Sequence, residues 1–379
     1  MQFITSRLAA LDRLNKFIES DISNYNSKRN FDYGVDNRRN VSCLSPYIAH
    51  RLITEYETIK LVLLKHPFQK VDKFIQEIFW RVYWKGWLEM RPGVWTDFIE
   101  DIKMIEEDEK YIKAINGETE IECFNDWINE LKNFNYLHNH TRMLFASIWI
   151  FTLGLPWQKG AEYFMRHLYD GDAASNTLSW RWVAGLQTKG KHYVAQAWNI
   201  SKFTNNRYKN IQLNENALPI IDKREYKLKP IKINKNEALN EVLILFENDL
   251  SIENLNLKNY SEIFCILLSN KKRKIQIDDK VLNYKKKLIE DQVSRHKKIK
   301  LIDEKLLEEK LVSLKSFDVI YPSVGENLSY LKNLRKNNDL NLNYITREDD
   351  EYCWQFSTKG YFNFKSNIPK IFQKLKLSI

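Results

Sequence analysis

Five short apolar runs between residues 241 and 348 constrain the fold more than any other feature of the chain. They are EVLILFEN (241–248), EIFCILLSN (262–270), KIKLID (298–303), DVIYPS (318–323) and LNYITRE (342–348). Each has the length and apolar character of a buried strand, and helical patterns such as EKLLEEKLVSL (304–314) lie between some of them. Alternation of β and α elements predicts a small α/β domain with a parallel sheet. The Lys-rich stretch NKKRKIQIDDKVLNYKKK (270–287) reads as a solvated face in preference to a phosphate-binding patch.

The preceding part of the chain has a different texture. Ten of the eleven tryptophans fall before residue 200. The stretch FIQEIFWRVYWKGWLEM (74–90) carries aromatic and aliphatic residues at helical spacing, and HTRMLFASIWIFTLGL (140–155) is long, apolar and stopped by Gly154 and Pro156. Both are predicted helices. Residues 211–230, polar and holding two prolines, suit a linker. The expected organisation is therefore a mostly helical domain (1–210), a linker (211–230) and an α/β domain (231–379), in a chain of 379 residues that can bury one or two sizeable cores.

Charge and cysteines narrow the classes of function. The net charge is +10, but residues 1–210 carry 28 Lys and Arg against 25 Asp and Glu, so a polyanion surface there has to come from local clustering. Cys43, Cys123, Cys265 and Cys353 stand far apart without metal-ligand spacing, which fits a reducing compartment and argues against a cysteine-built metal site. Charges break every apolar run of the first 17 residues, so they do not read as a signal peptide, and no stretch has the length of a membrane span.

Three polar clusters stand out in the helical part. Glu77, Trp80 and Arg81 sit at i, i+3 and i+4 and share one helix face. An acid, an indole and a guanidinium together suit a polar ligand; an amphipathic surface helix with an internal ion pair is the alternative that spacing leaves open. In LHNHTRM (137–143), a helix sets His138 against Arg142 and Asn139 against Met143, with His138 and His140 pointing apart as no zinc pair would. A helix N-terminus capped by the asparagine explains the same residues. In YDGDAASNTLSWRW (169–182), Asp170 and Asp172 need cationic or donor partners if buried, and Arg142 is one candidate. Taken singly, these clusters reach no further than a helical, Trp-rich ligand binder.

Taken together, EIFWR (77–81), HNHTRM (138–143) and DGDAASNTLSWRW (170–182) resemble successive motifs of the flavin-binding domain of the photolyase/cryptochrome family, and SCLSPYIAH (42–50) resembles the loop holding the flavin phosphates there. The similarity spans about residues 40–200 in order and spacing. It implies a mostly α FAD-binding domain followed by the smaller α/β domain. Ser42, Leu44 and Ser45 match the pyrophosphate loop, and Glu77, Arg81 and Asn139 match further contacts of the cofactor. Arg142 and Asp170 match the ion pair along the flavin ring, Asp172 the acid that takes hydrogen bonds from flavin and ribose, and Asn176 the residue facing N5. Glu77, Trp80, Asn139, His140, Met143 and Trp182 match the substrate pocket of photolyases acting on cyclobutane pyrimidine dimers, with the indoles as flat walls for a flipped-out dimer. Trp180 and Trp157 match the first two members of a tryptophan chain that re-reduces the flavin, a role added to core packing.

The resemblance implies a cytoplasmic, light-driven lyase that meets UV-damaged DNA, single- or double-stranded, with FAD, no metal and no membrane. A cryptochrome-like blue-light receptor on the same flavin is the second expectation, and a flavin-free nucleic-acid binder the third. Arg38, Arg39, Arg51, Lys85 and Lys191 are candidate phosphate contacts. The chain departs from the family at several points. His140 stands where many dimer photolyases have arginine, Asn125 or Asp126 where an aspartate is usual, and the third tryptophan of the chain is unmatched, with Tyr111, Trp95 or Trp127 as substitutes. An antenna-type α/β domain precedes the flavin domain in most of the family. Here only about 40 residues do, and EVLILFENDLSIENL (241–255) and GYFNFKSNIPKI (360–371) resemble parts of that domain placed after it.

Overall fold

The computed structural model describes residues 2–231, 237–253 and 255–377. All five apolar runs form strands: β1 (Val242–Phe246), β2 (Glu262–Ile266), β3 (Ile299–Ile302), β4 (Ser316–Ile320) and β5 (Asn341–Ile345). Among the described residues they make one parallel sheet in the order β3-β2-β1-β4-β5. Every residue of β1 is buried, as expected of a central strand covered on both faces. The helix Glu304–Leu314 lies between β3 and β4, capped by Asp303, whose carboxylate accepts from the N–H of Leu306.

Strand order reverses between β1 and β4, and in open α/β sheets that switch point opens a crevice at the carboxyl ends of the strands. Here the crevice is turned toward the helical part. The His50 ring contacts the Glu247 carbonyl at 2.9 Å just past β1. Asp249 receives Arg51 at 3.1 Å and Arg347 at 2.8 Å, and Arg51 also makes two 2.7 Å bonds with Asp350.

The 22-residue helix Phe68–Glu89 is the spine of the helical part, beginning after Pro67 and ending three residues before Pro92. Helices from beyond the sheet return to it. A Cβ on Gly86 would lie 2.8 Å from the Cα of Trp354, so only glycine lets the helix Glu348–Trp354 approach so closely. The predicted helix over 140–155 is interrupted: Asn139–Ser147 is α-helical, Ile148–Thr152 is one π-helical turn, and the chain leaves at Gly154 with φ +68°. Residues 211–231 have no regular secondary structure but are pinned to the helices, with Arg224 on Asp101 and Tyr226 Oη on Asp97. Among the described residues, no helix is long and apolar enough to cross a membrane.

The Lys-rich stretch 270–287 is not wholly a solvated face. Arg273 and Lys285 are buried against Glu247, at 2.8 and 3.6 Å. They sit on the inner side of the segment, where they meet the Glu247 carboxylate just past β1.

Candidate functional site

A cavity of about 680 Å³ opens between the helices Phe68–Glu89, Asn139–Ser147, Trp157–His167 and Ala173–Val183. That volume lies in the range of cofactor and ligand sites. Its walls gather most of the residues singled out in the sequence: Ser45, Glu77, Trp80, Arg81, Asn139, His140, Arg142, Met143, Asp170, Asp172, Asn176, Trp180 and Trp182 all line it. Helical spacing accounts for much of this convergence. Glu77, Trp80 and Arg81 occupy one face, as do Asn139, Arg142 and Met143, and Asp172, Ser175, Asn176 and Ser179 follow one another along a third helix.

His138, not Asn139, caps the second of these helices, its Nδ1 accepting from the N–H of His140 at 3.2 Å. The sequence reading set His138 against Arg142 inside the helix. Extended backbone at His138 (φ −58°, ψ 139°) removes it from that face and leaves Arg142 to Asp170.

Two buried ion pairs frame the cavity. Arg142 grips Asp170 through both terminal nitrogens at 3.0 and 2.9 Å, and its Nε donates to the Leu137 carbonyl at 2.9 Å. Arg81 bonds Asp172 and reaches Glu55 at 2.9 Å. Asp172 is also the N-cap of Ala173–Val183, accepting from the N–H groups of Ala174 and Ser175, both at 3.0 Å. Burial works to raise the Asp172 pKa, but Arg81 and the Ser175 N–H outweigh it and hold the carboxyl below its ordinary value. Asp172 is thus held ionised, and each of the two acids has a guanidinium in place, a donor–acceptor border suited to a polar, flat cofactor.

Glu77 differs. Burial pushes its carboxyl above the usual range, and Arg29, 3.9 Å away, pulls it back only partly. His140 is pushed down by burial, against a 2.9 Å contact of its Nε2 with Asn199 Oδ1, so it stays neutral near pH 7.

Asn176 is oriented by a neighbour. Its Nδ2 donates to the Ala161 carbonyl at 2.8 Å, and a carbonyl can only accept. That bond takes up the amide nitrogen and leaves Oδ1 as the acceptor that this cavity-lining side chain has to offer an incoming N–H.

The aromatic surroundings divide in two. Trp182 stacks on Tyr193 (5.8 Å between centroids, 23° between planes), and both line the cavity. Trp180 is held edge-on by Phe164, Trp149 and Phe145, and Gly160 makes room for it, since a Cβ there would come within 2.3 Å of the indole. Among the described ring contacts, the indole touching Trp180 is thus Trp149, at 6.2 Å, followed by Tyr111 at 5.8 Å from Trp149. Trp157 lies elsewhere, stacked on Phe98 (5.6 Å) beneath the Arg181 guanidinium. Trp149 went unnoticed in the sequence because a tryptophan within a long apolar run reads as core.

Several expected residues stand away from the cavity lining. Ser42 is half-buried outside it, and Leu44 is buried as the N-cap of the short helix Ser45–Ile48, which leaves Ser45 as the loop residue at the wall. Three of the candidate phosphate contacts are not surface cations. Arg38 is bonded to Asp32 and Glu130, Arg51 to Asp249 and Asp350, and Lys85 is buried with its ammonium over the Trp354 ring. Burial without a partner costs a cation too much, and acids remote in sequence meet the two arginines. Arg39 and Lys191 remain exposed. Asn125 is occupied by Thr119, whereas Asp126 accepts from Tyr208 Oη at 2.8 Å.

A helical domain around a cavity edged by acid–guanidinium pairs and walled by indoles has the make-up of a site for a planar, polar cofactor. Residues 74–228 match the family model described as the FAD binding domain of DNA photolyase. The deoxyribodipyrimidine photo-lyase of Buchnera aphidicola is 28% identical over 196 residues, covering 48% of this chain and 39% of its own length. That of Agrobacterium fabrum is 30% identical over 184 residues, with 46% and 37% covered. A crystal structure of a bacterial class III photolyase from Agrobacterium tumefaciens aligns at 25% identity and a TM-score of 0.46, over 53% of this chain and 43% of that one. Over residues 74–228 the chain is thus similar to the FAD binding domain of DNA photolyase, and it spans less than half the length of the curated relatives it matches.

The residues present fit that cofactor. The cavity is large enough, Arg142 and Arg81 supply donors flanked by Asp170 and Asp172 as acceptors, and Asn176 keeps Oδ1 as an acceptor for an N–H.

Proposed function

We propose that this chain is a light-driven DNA repair lyase that splits cyclobutane pyrimidine dimers, with fully reduced FAD as its cofactor. The observation that carries the reading is the convergence, in one cavity, of a cofactor border and a second set of groups suited to two covalently joined pyrimidines. When bound, reduced FAD supplies one electron to the dimer under blue light and takes it back after the ring opens, so no net redox change results.

The chain's own residues bind and orient. Arg142, Asp170, Arg81 and Asp172 hold the flavin edge and ribose, with Ser45 at the phosphate end and Ser42 and Leu44 shaping that loop. Asn176 accepts from N5–H, which favours the reduced cofactor. Trp80 and Trp182 cover the apolar faces of a flipped-out dimer, with Met143 filling between them. Asn139 and Glu77 reach the polar base edges, and Glu77, whose carboxyl is pushed up by burial, can hold a proton near the dimer carbonyls where charge develops. His140, neutral and tied to Asn199, offers a hydrogen bond but no charge to the lesion strand. Trp180, with Trp157 as the family match and Trp149 as the nearest indole, restores the reduced cofactor after accidental oxidation.

A blue-light receptor would need the flavin border alone. The retained Glu77, Asn139, Trp80 and Trp182 favour the lyase. We propose further that residues 1–210 and 231–379 are the two functional units, joined by 211–230. The test is blue-light illumination of the FAD-loaded, reduced chain with a UV-damaged oligonucleotide: light-dependent loss of dimers supports the lyase, and dimers that persist with flavin bound and reduced overturn it.

A further inference from the structure

Trp80 has a second aromatic partner from a distant part of the chain. Tyr361 opens the short helix Tyr361–Lys365 beyond the α/β sheet and lies flat on the indole, with ring centroids 3.6 Å apart and planes 12° from parallel. Aromatic pairs usually stand offset, with centroids about 4.5–7 Å apart. Here the rings overlap face on face. The phenol is buried, and its hydroxyl donates to the Gln76 carbonyl at 2.7 Å. In an α-helix that carbonyl also pairs with the N–H four residues on, which is Trp80's own. One tyrosine thus fixes both the ring and the backbone of Trp80. Tyr83 and Trp84 close the remaining flanks at 5.7 and 5.2 Å.

The indole still lines the cavity, so what it offers there is its opposite face and free edge. Without Tyr361, a rigid flat wall would become a side chain to be ordered on binding. We infer that Tyr361 is a positioning residue for substrate recognition, holding Trp80 ready to stack on a flipped-out pyrimidine dimer; this rests on the lyase reading above. Tyr361 is not among the residues that line the cavity. It acts through Trp80, and its distance in sequence means that the segment beyond the α/β sheet takes part in building the substrate wall.

The test uses the full FAD-loaded chain in the dark, with an oligonucleotide holding one cyclobutane thymine dimer and an undamaged oligonucleotide of the same sequence, read by fluorescence anisotropy. Tyr361→Leu is expected to weaken binding of the damaged strand by roughly three- to tenfold, the cost of ordering one side chain, with undamaged binding and flavin absorbance unchanged. In repair, KM rises while kcat holds. Tyr361→Phe, which keeps the stacked ring, retains wild-type affinity. A readout free of DNA comes from 5-fluorotryptophan ¹⁹F NMR: the Trp80 resonance, assigned by its loss in Trp80→Phe, should shift and broaden in Tyr361→Leu but not in Tyr361→Phe. Wild-type dimer affinity in Tyr361→Leu, or an unmoved Trp80 resonance, overturns the inference, as does equal loss on both strands together with flavin loss, which marks a purely structural role. A wild-type chain that binds both strands equally overturns the lyase reading itself and this inference with it, even where the NMR result stands.

Discussion

Asn176 donates an amide hydrogen to the Ala161 carbonyl at 2.8 Å, which leaves its oxygen as the acceptor this cavity-lining side chain has to offer. An acceptor at that point matches the extra N–H of a reduced flavin and has nothing to gain from the oxidised one. Asn176→Leu keeps the volume and removes the acceptor. A hydrogen bond of about 0.5–1.5 kcal/mol lost from one redox state lowers the two-electron midpoint potential by roughly 10–30 mV. Spectroelectrochemical titration of the bound flavin measures it, and an unchanged potential contradicts the role.

Arg142 and Asp170 form a bidentate pair with little exposure. Removing one partner of such a pair strands the other in a poorly solvated site, at about 3–5 kcal/mol. Arg142→Leu and Asp170→Leu should each lose most bound FAD on gel filtration and melt at lower temperature, whereas Glu77→Ala should lose repair and keep its flavin. Flavin loss from Glu77→Ala would move that residue from substrate to cofactor.

The ring contacts of Trp180 run to Trp149 and from there to Tyr111, while Trp157 packs on Phe98. If electrons follow contact, Trp149→Phe slows photoreduction of oxidised flavin by about tenfold or more, and Trp157→Phe by less. Repair by chemically reduced protein should be untouched in both. Transient absorption after a blue flash separates the routes, and a larger effect at Trp157 would favour the route implied by family resemblance.

Acid should act on the contact between sheet and helices. Burial works to raise the Glu247 pKa, but Arg273 and Lys285 outweigh it and hold it at about 2. A carboxyl with a depressed folded value stabilises fully above its ordinary pKa of about 4.3 and loses that contribution as pH falls through the folded value. Glu247→Gln should therefore cost on the order of 3 kcal/mol at pH 7, with the difference from wild type closing between about pH 4.3 and pH 2. Urea titrations at stepped pH measure it.

The strands were legible because buried parallel strands are short, continuous apolar runs, and the cavity residues because helical spacing brings Glu77 next to Trp80 and Arg81 whatever else the chain does. What escaped depends on distance along the chain. Arg51 reads as a surface cation until Asp249 and Asp350, 198 and 299 residues away, close on it. The same holds for Lys85, covered by Trp354, and for Tyr361 beneath Trp80. The π turn at Ile148–Thr152 left no mark in an apolar run that fits either helix. Strand order, too, is set by the direction in which each crossover returns to the sheet, which a sequence pattern does not reveal.

The most direct measurement is single-turnover photorepair. FAD-loaded, dithionite-reduced chain is mixed with an oligonucleotide holding one cyclobutane thymine dimer and flashed with blue light, and dimer and monomer strands are separated by chromatography. The lyase reading predicts dimer loss that rises with flash number, is absent in the dark, and falls in Glu77→Ala at equal flavin content. Full flavin occupancy with no dimer lost after many flashes would contradict it.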